Sequence, residues 1–99
     1  MIHIILYDIE SDRARTRLAK LLERQGFTRL QYSVFAGETD RHRWQAVWAG
    51  LETFFRKHCT PADKLYAPVV ETDAFEKMPL LGTPPDFDYV MNKMHTLYL

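Results

Sequence analysis

The order in which strand-like and helix-like segments follow one another most constrains the fold of this 99-residue chain. Residues 2–8 are rich in β-branched and aromatic residues and end abruptly at an aspartate, which predicts a short strand. Ser11 or Asp12 can then cap a helix, because apolar residues recur at helical spacing up to Gln25, and Gly26 follows as a stop. The first 26 residues therefore predict a strand followed directly by an amphipathic helix.

The next segments predict two more strands, a second helix and a last strand. Residues 28–37 favour two short strands around a tight bend, or one strand with a bulge. Thr39 or Asp40 caps the second helix, whose apolar residues recur in steps of three and four until Pro61. Residues 65–70 predict the last strand. The order β-α-β-β-α-β predicts an α+β fold, a ferredoxin-like sandwich with both helices on one face of the sheet.

The predicted sheet is apolar on both of its faces. Side chains of the first strand alternate between the faces, with Ile2, Ile4 and Leu6 on one and Ile5 and Tyr7 on the other. The two helices cover only one face, and soluble monomers rarely expose a large apolar patch. We therefore expect a homodimer in which a second copy covers the face that the helices leave open.

Length and composition predict one domain with a C-terminal extension. Residues 1–70 carry the core pattern, and residues 71–99 form the extension, for which a short helix and a final strand are expected. The single cysteine, Cys59, cannot close an internal disulfide, which favours a reducing, cytoplasmic setting. The opening apolar run is too short for a membrane span and lacks the features of a signal peptide, so we expect no membrane association.

Asp8 is the first candidate for chemistry. It ends an apolar strand, where it can reach a ligand or simply solvate the strand end. In a dimer the twofold axis can bring both copies of Asp8 together, and paired carboxylates attract Mg²⁺ or Mn²⁺. Such a metal can activate water against a phosphodiester.

A basic stripe along the first predicted helix is the second candidate. Its members share one face at i, i+4, i+7 and i+11: Arg13, Arg17, Lys20 and Arg24. Arg15 lies off the stripe and joins it as a candidate for nucleic-acid binding. Residues 11–30 hold six basic and two acidic residues, a local charge of +4 in a chain of zero net charge. This charge suits a phosphate backbone, and a solvated helix face is the alternative.

Aromatic and histidine side chains give weaker signals. Tyr32 and Phe35 can stack on an unpaired base or pack in the core, whereas Trp44 and Trp48 belong to a helical apolar stripe and are expected in the core. The four histidines show no metal-ligand spacing. The chain has no phosphate-binding glycine loop, zinc pattern or serine-nucleophile elbow, so most enzyme classes lack support.

Three motifs occur together at a spacing that resembles the CRISPR-associated adaptation proteins of the Cas-two family. They are Tyr7-Asp8-Ile9, the arginine-rich helix start with Arg15, Arg17 and Leu18, and the segment GFTRLQYSVF at residues 26–35. The resemblance covers about residues 1–70 and does not extend to residues 71–99. One departure is Ala36, where many members have an acidic residue before the glycine.

The resemblance implies a ferredoxin-like homodimer with a metal at the subunit interface. It places the family's metal-binding aspartate at Asp8. It also implies roles in nuclease activity or nucleic-acid binding for Tyr7, Arg15, Arg17, Arg29 and Phe35. Members of the family act as metal-dependent nucleases on RNA or double-stranded DNA, or as a non-catalytic dimer at the centre of an integrase complex that inserts new spacers.

We therefore expect a CRISPR adaptation subunit that forms a homodimer, binds duplex DNA or RNA and works with an integrase subunit. At Asp8 it either has Mg²⁺- or Mn²⁺-dependent endonuclease activity or has no catalytic role. Two alternatives stay open, a ferredoxin-like toxin-type ribonuclease and a non-catalytic dimeric scaffold or regulatory module.

Overall fold

The computed structural model describes residues 1–91, and its strands and helices begin in the predicted order. The bounds are β1 Ile2–Asp8, α1 Asp12–Arg24, β2 Thr28–Gln31, β3 Val34–Glu38, α2 Arg41–His58, β4 Lys64–Tyr66, β5 Val69–Val70 and α3 Thr72–Glu76. Residues 87–91 are also helical. The antiparallel sheet and its helices confirm the predicted α+β class. The final strand expected at residues 96–99 lies outside the described residues.

Local capping signals determine where the two long helices begin and end. The hydroxyl of Ser11 accepts a hydrogen bond from the amide of Ala14 at 3.1 Å, which confirms Ser11 rather than Asp12 as the cap of α1. Gly26 has a φ of +92°, a conformation that favours glycine and lets the chain turn back towards β2. The carboxylate of Asp40 accepts from the amide of Arg43 at 2.8 Å and caps α2.

β1 lies in the middle of the sheet, where the strand order is β2-β3-β1-β4 and β5 also pairs with β1. All of these pairings are antiparallel, with Ile5 opposite Phe35 and Asp8 opposite Lys64. Both features predicted for residues 28–37 are present, because a tight turn joins β2 to β3 and the register shifts between Arg29 and Gln31. The pairing with β3 ends at Leu6, so Asp8, at the carboxyl end of β1, lies beside β4 alone among the strands.

The single strand predicted at residues 65–70 is wrong, because the structure divides it into β4 and β5. Pro68 lies at the break. A proline has no N–H to donate, so it interrupts the ladder. Its carbonyl still accepts from the amide of Ile4 at 2.9 Å, which keeps the segment against β1.

The face of the sheet covered by α1 and α2 forms the larger of two apolar clusters. Ile5 and Tyr7 of β1 pack there against buried residues of both helices: Ala14, Leu18, Ala19, Leu22, Val47, Leu51 and Phe54. Trp44 and Trp48 are only partly buried at its margin, where Trp44 stacks on His3 with ring centroids 4.0 Å apart. Both predicted helices therefore cover one face, although α2 is rotated enough to bury Phe54 more deeply than the tryptophans.

The extension packs on part of the opposite face. Phe75 and Val90, each 1% exposed, pack against Ile2 and Ala36 in a second cluster. The boundary predicted after residue 70 coincides with the end of β5, but two side chains beyond it are as deeply buried as those of the first cluster. The extension thus covers the part of this face around Ile2 and Ala36, whereas Leu6 and the residue opposite it, Val34, are only half-buried.

Candidate nucleic-acid interface and carboxylate site

Asp8 is exposed at the carboxyl end of β1, directly opposite Lys64 of β4. Within residues 1–91 its carboxylate forms no hydrogen bond or ion pair with another side chain. The group is therefore presented to solvent without a structural partner. This arrangement differs from the helix caps Ser11 and Asp40, whose side chains accept backbone hydrogen bonds.

The loop that follows Asp8 is held from two sides. The guanidinium of Arg15 donates to the carbonyl of Ile9 and to that of Glu10, the latter at 2.9 Å. On the other side, the carboxylate of Asp63 accepts from the amide of Glu10 at 3.1 Å and from the amide of Thr60 at 2.9 Å. These bonds fix the backbone immediately after the exposed carboxylate.

Asp63 was missed by the sequence analysis. The amides of Thr60 and Glu10 lower the pKa of its carboxyl, because hydrogen bonds to the charged form favour ionisation. An aspartate two residues after Pro61, just before a strand, is a local turn signal. No sequence pattern, however, indicates the bond to Glu10, which is 53 residues away.

Arg15 is occupied by structural contacts. Besides the two carbonyls it forms an ion pair with Asp12, and its side chain is 24% exposed. A guanidinium engaged in this way is less available to phosphates than one that extends into water. The structure therefore places Arg15 as a support of the Asp8 loop, at the edge of the basic stripe.

Tyr7 lies in the core and anchors the β2–β3 turn. Its hydroxyl donates to the carbonyl of Tyr32 at 3.4 Å, and its amide donates to the carbonyl of Ser33 at 3.2 Å. Burial raises the pKa of Tyr7 above its ordinary value, and the hydrogen bond and charge of Arg29 offset this only in part. The phenol is therefore protonated at neutral pH and does not act there as a base.

Phe35 is fully buried beneath Arg29, whose guanidinium carbon lies 5.1 Å from the centroid of the ring. The direct role suggested for Phe35 by the resemblance does not fit this burial, because its side chain has no surface to offer a substrate. Its ring instead supports Arg29 through a cation–π contact. Arg29 itself is exposed.

The four members of the basic stripe, Arg13, Arg17, Lys20 and Arg24, are all exposed on α1. Arg17 lies 3.4 Å from the ring of His58, so the stripe adjoins the last turn of α2, which also carries Arg56 and Lys57. The helix layer therefore presents basic residues from both helices. We call this surface the basic layer.

The acidic residues of the extension lie on the other side of the sheet. Every one of them within residues 71–91 is exposed: Glu71, Asp73, Glu76, Asp86 and Asp88. Phe75 and Val90 attach this segment to the face that α1 and α2 leave open. Residues 71–91 hold these five acidic residues and a single basic residue, Lys77, so acidic and basic side chains lie mainly on different sides of the folded domain.

A complete metal site is absent from the described part of this chain. No group of three or more His, Cys, Asp or Glu side chains in residues 1–91 is placed to hold a metal ion. A single carboxylate such as Asp8 is a sparse ligand set for Mg²⁺, whose other ligands would come from water, a substrate phosphate or a second copy of the site. Among residues 1–91, no helix has the length and apolar character needed to cross a membrane.

The fold and the site define a small α+β domain with an exposed strand-end carboxylate and one basic face. A family model described as CRISPR associated protein Cas2 matches residues 1–78, and the chain belongs to this family. The match confirms the resemblance seen in the motifs around Asp8 and in residues 26–35, and it extends eight residues beyond the range over which the resemblance was recognised.

Two relatives agree with this assignment. The chain is 58% identical over 56 residues to an Archaeoglobus fulgidus protein named CRISPR-associated endoribonuclease Cas2 1, an alignment of 57% of this chain and 60% of the relative. It is 44% identical over 54 residues to a Thermus thermophilus protein named CRISPR-associated endoribonuclease Cas2, covering 54% and 56% respectively. The chain thus spans less than two thirds of these relatives.

The crystal structure of Streptococcus pyogenes Cas2 superposes with a TM-score of 0.66 and 18% sequence identity. The superposition covers 83% of this chain and all of the other. At this identity the likeness concerns the fold.

Proposed function

We propose that this protein is a CRISPR adaptation subunit that binds nucleic acid through the basic layer. The observation that carries the proposal is the position of this layer, which faces away from the acidic extension. Cationic side chains on one face track a phosphate backbone and release its counterions. Membership of the Cas2 family supports the same role, and the strand order β2-β3-β1-β4 supports a ferredoxin-like arrangement.

A homodimer and an integrase subunit are the partners in this proposal. A dimer would present the basic layer twice and so lengthen the path available to a duplex. It would also supply a second Asp8 to the proposed site for Mg²⁺ or Mn²⁺, because residues 1–91 of one chain hold no group of three ligating side chains. The relatives' names, which describe endoribonucleases, support nuclease activity as part of the proposal.

A non-catalytic scaffold is the second candidate. It is favoured by the small donor set around Asp8 and by the structural use of Arg15, two features that leave few groups for catalysis. No observation favours the toxin-type ribonuclease over a member of the Cas2 family.

Binding to a blunt DNA duplex at several salt concentrations tests the nucleic-acid role. The logarithm of the association constant should fall linearly with the logarithm of salt, by roughly 0.9 for each phosphate neutralised. The double variant Arg13→Gln/Arg24→Gln should reduce this slope by about 2. Lys77→Gln, on the opposite side of the sheet, is the matched control and should leave the slope unchanged. A salt-independent association, or none at low salt, contradicts the proposal.

Cleavage of RNA and duplex DNA with Mg²⁺, Mn²⁺ or a chelator distinguishes the nuclease from the scaffold. Asp8→Ala should abolish metal-dependent cleavage. Asp73→Ala, which removes an exposed carboxylate on α3, should retain it. Equal cleavage by the wild type and Asp8→Ala removes Asp8 from the reaction. Duplex binding without cleavage under every condition favours the scaffold.

A further inference from the structure

We infer that Tyr32 is a stacking platform for an unpaired nucleobase, next to a cleft that receives the phosphate of the same strand. This inference rests on the proposed nucleic-acid binding and specifies which part of a nucleic acid is held there. It extends the interface beyond the helical stripe to the turn between β2 and β3. The ligand class is a single-stranded end or overhang of DNA or RNA.

The exposure of Tyr32 is the first observation. Its side chain is 70% exposed, more than the other described tyrosines, whereas Phe35 three residues later is fully buried. The sequence pattern does not distinguish these two aromatic residues, but their exposure in the fold does. Phe35 belongs to the core, and only Tyr32 has a ring surface that a base can reach.

Two hydrogen bonds from Tyr7 connect the backbone beneath the ring to β1. Tyr7 donates its hydroxyl to the carbonyl of Tyr32 and its amide to the carbonyl of Ser33. Tyr7 is itself buried, so these bonds connect the turn directly to the central strand β1. A stacking residue on such a turn loses little backbone freedom on binding, which lowers the entropic cost of association.

Basic side chains lie on one side of the platform. The guanidinium carbon of Arg29 lies 5.8 Å from the centroid of the Tyr32 ring. Arg29 and Tyr32 line a cleft of about 240 Å³ together with Lys20, Glu23 and Arg15. Because Arg15 is engaged by the carbonyls of Ile9 and Glu10, the cations that this cleft offers to a phosphate are Arg29 and Lys20. The cleft is smaller than a typical pocket for a whole ligand. It suits one phosphate and its sugar, while the base lies outside on the tyrosine.

Stacking and charge are complementary in this arrangement. Aromatic side chains beside a positively charged groove bind single strands with little dependence on sequence, because every base has a π-face. A paired base within a duplex has both faces covered by its neighbours and offers none to Tyr32. The platform should therefore favour an unpaired nucleotide over the interior of a duplex.

An abasic overhang provides the sharpest test, because it keeps the phosphates and removes the bases. Binding is measured by fluorescence anisotropy to a blunt duplex, to the same duplex with an unpaired thymidine overhang, and to that duplex with an abasic overhang. The wild type should bind the thymidine overhang on the order of 10- to 100-fold more tightly than the abasic one.

Variants of Tyr32 assign this difference to the ring. Tyr32→Ala should abolish it while leaving the affinity for the blunt duplex unchanged, and Tyr32→Phe should restore it. Tyr66→Ala, which removes another exposed tyrosine on β4, is the matched control and should behave as the wild type. Sedimentation of each variant checks for a change in assembly.

The outcomes separate this inference from the proposed function. If no probe binds in a salt-dependent manner, the proposed function itself fails. If the blunt duplex binds but the wild type does not distinguish the two overhangs, the platform is refuted and the basic layer stands. A Tyr32→Ala variant that retains the difference also refutes the platform, as does one that changes the sedimentation of the protein, since Tyr32 would then be a subunit contact.

Discussion

Replacing Phe75 with alanine should strongly destabilise the protein, because this ring attaches the extension to the sheet. Phe75 is 1% exposed and packs edge to face on Phe87 with ring centroids 5.4 Å apart, above Ile2 and Ala36. Phe-to-Ala substitutions at such sites cost about 3–5 kcal/mol, of which the apolar transfer accounts for about 1.5–3 kcal/mol and the remaining cavity for the rest. That loss is a large part of the 5–15 kcal/mol that about 100 residues usually provide.

Urea unfolding followed by circular dichroism measures this loss. With a slope of about 1–3 kcal/mol per molar urea, the midpoint for Phe75→Ala should fall by about 2 M. Leu81→Ala is the matched control, because Leu81 belongs to the same extension and is fully exposed. Its unfolding free energy should stay within about 0.5 kcal/mol of the wild type. Measurements at several protein concentrations separate folding from self-association.

A change below about 1 kcal/mol for Phe75→Ala would refute the packing described for the extension. The second face of the sheet would then need another cover, and the original expectation of a second copy on that face would regain its force. Hydrogen exchange gives an independent readout. The amides of α3 should lose protection in the variant before those of β1 do, because α3 depends directly on the lost ring.

Three further predictions concern two glycines and a histidine. Gly37→Ala should cost about 1–3 kcal/mol in thermal unfolding, because its Cβ would lie 2.9 Å from the buried ring of Phe27. Gly50 lies on an exposed part of α2, where an added Cβ would have nothing within 4 Å. Gly50→Ala should therefore stabilise the protein by about 0.5–1 kcal/mol, and a lower free energy of unfolding would contradict the assignment of Gly50 to an unobstructed helix surface. Burial, and to a smaller extent the N-terminal charge, lowers the pKa of His3 in the folded protein. The unfolded chain therefore binds the proton more readily, and the free energy of unfolding should decline as the pH falls below about 6.5. His3→Phe retains the stack on Trp44 and should flatten this decline in denaturant titrations from pH 7 to 5, whereas an unchanged slope would assign it to other groups.

Features that depend on neighbouring residues were predictable from the sequence. Ser11, Gly26 and Asp40 act through hydrogen bonds or backbone angles within a few residues, so the ends of both long helices followed from local chemistry. The alternation of apolar residues in β1 likewise gave the correct assignment of Ile2 and Ile5 to opposite faces.

Features that depend on distant residues were not predictable. The hydrogen bond from the amide of Glu10 to the carboxylate of Asp63 joins positions 53 residues apart. No sequence pattern around either residue predicts this contact. The packing of Phe75 and Val90 on Ile2 depends on how the extension returns to the sheet, which periodicity does not encode. The break at Pro68 had a local cause, but the β-branched residues after it favoured one continuous strand.

The candidate site divides in the same way. The sequence predicted that Asp8 ends β1 and that the basic stripe shares one face of α1, because residue type and helical spacing depend on neighbouring positions. Arg29 was indicated by the resemblance alone. It did not show that Arg15 is engaged by the carbonyls of Ile9 and Glu10, since a side chain's partners follow from the folded arrangement.

The position of the extension behind the sheet gives the folded domain an electric dipole although its net charge is zero. In the field of a polyanion such a molecule experiences little net attraction at long range but a torque that turns its positive side forward. This alignment acts only within about one Debye length, roughly 8 Å at physiological salt. Nucleic acid would thus be approached in one orientation, with the helices forward and the extension facing away from the phosphates.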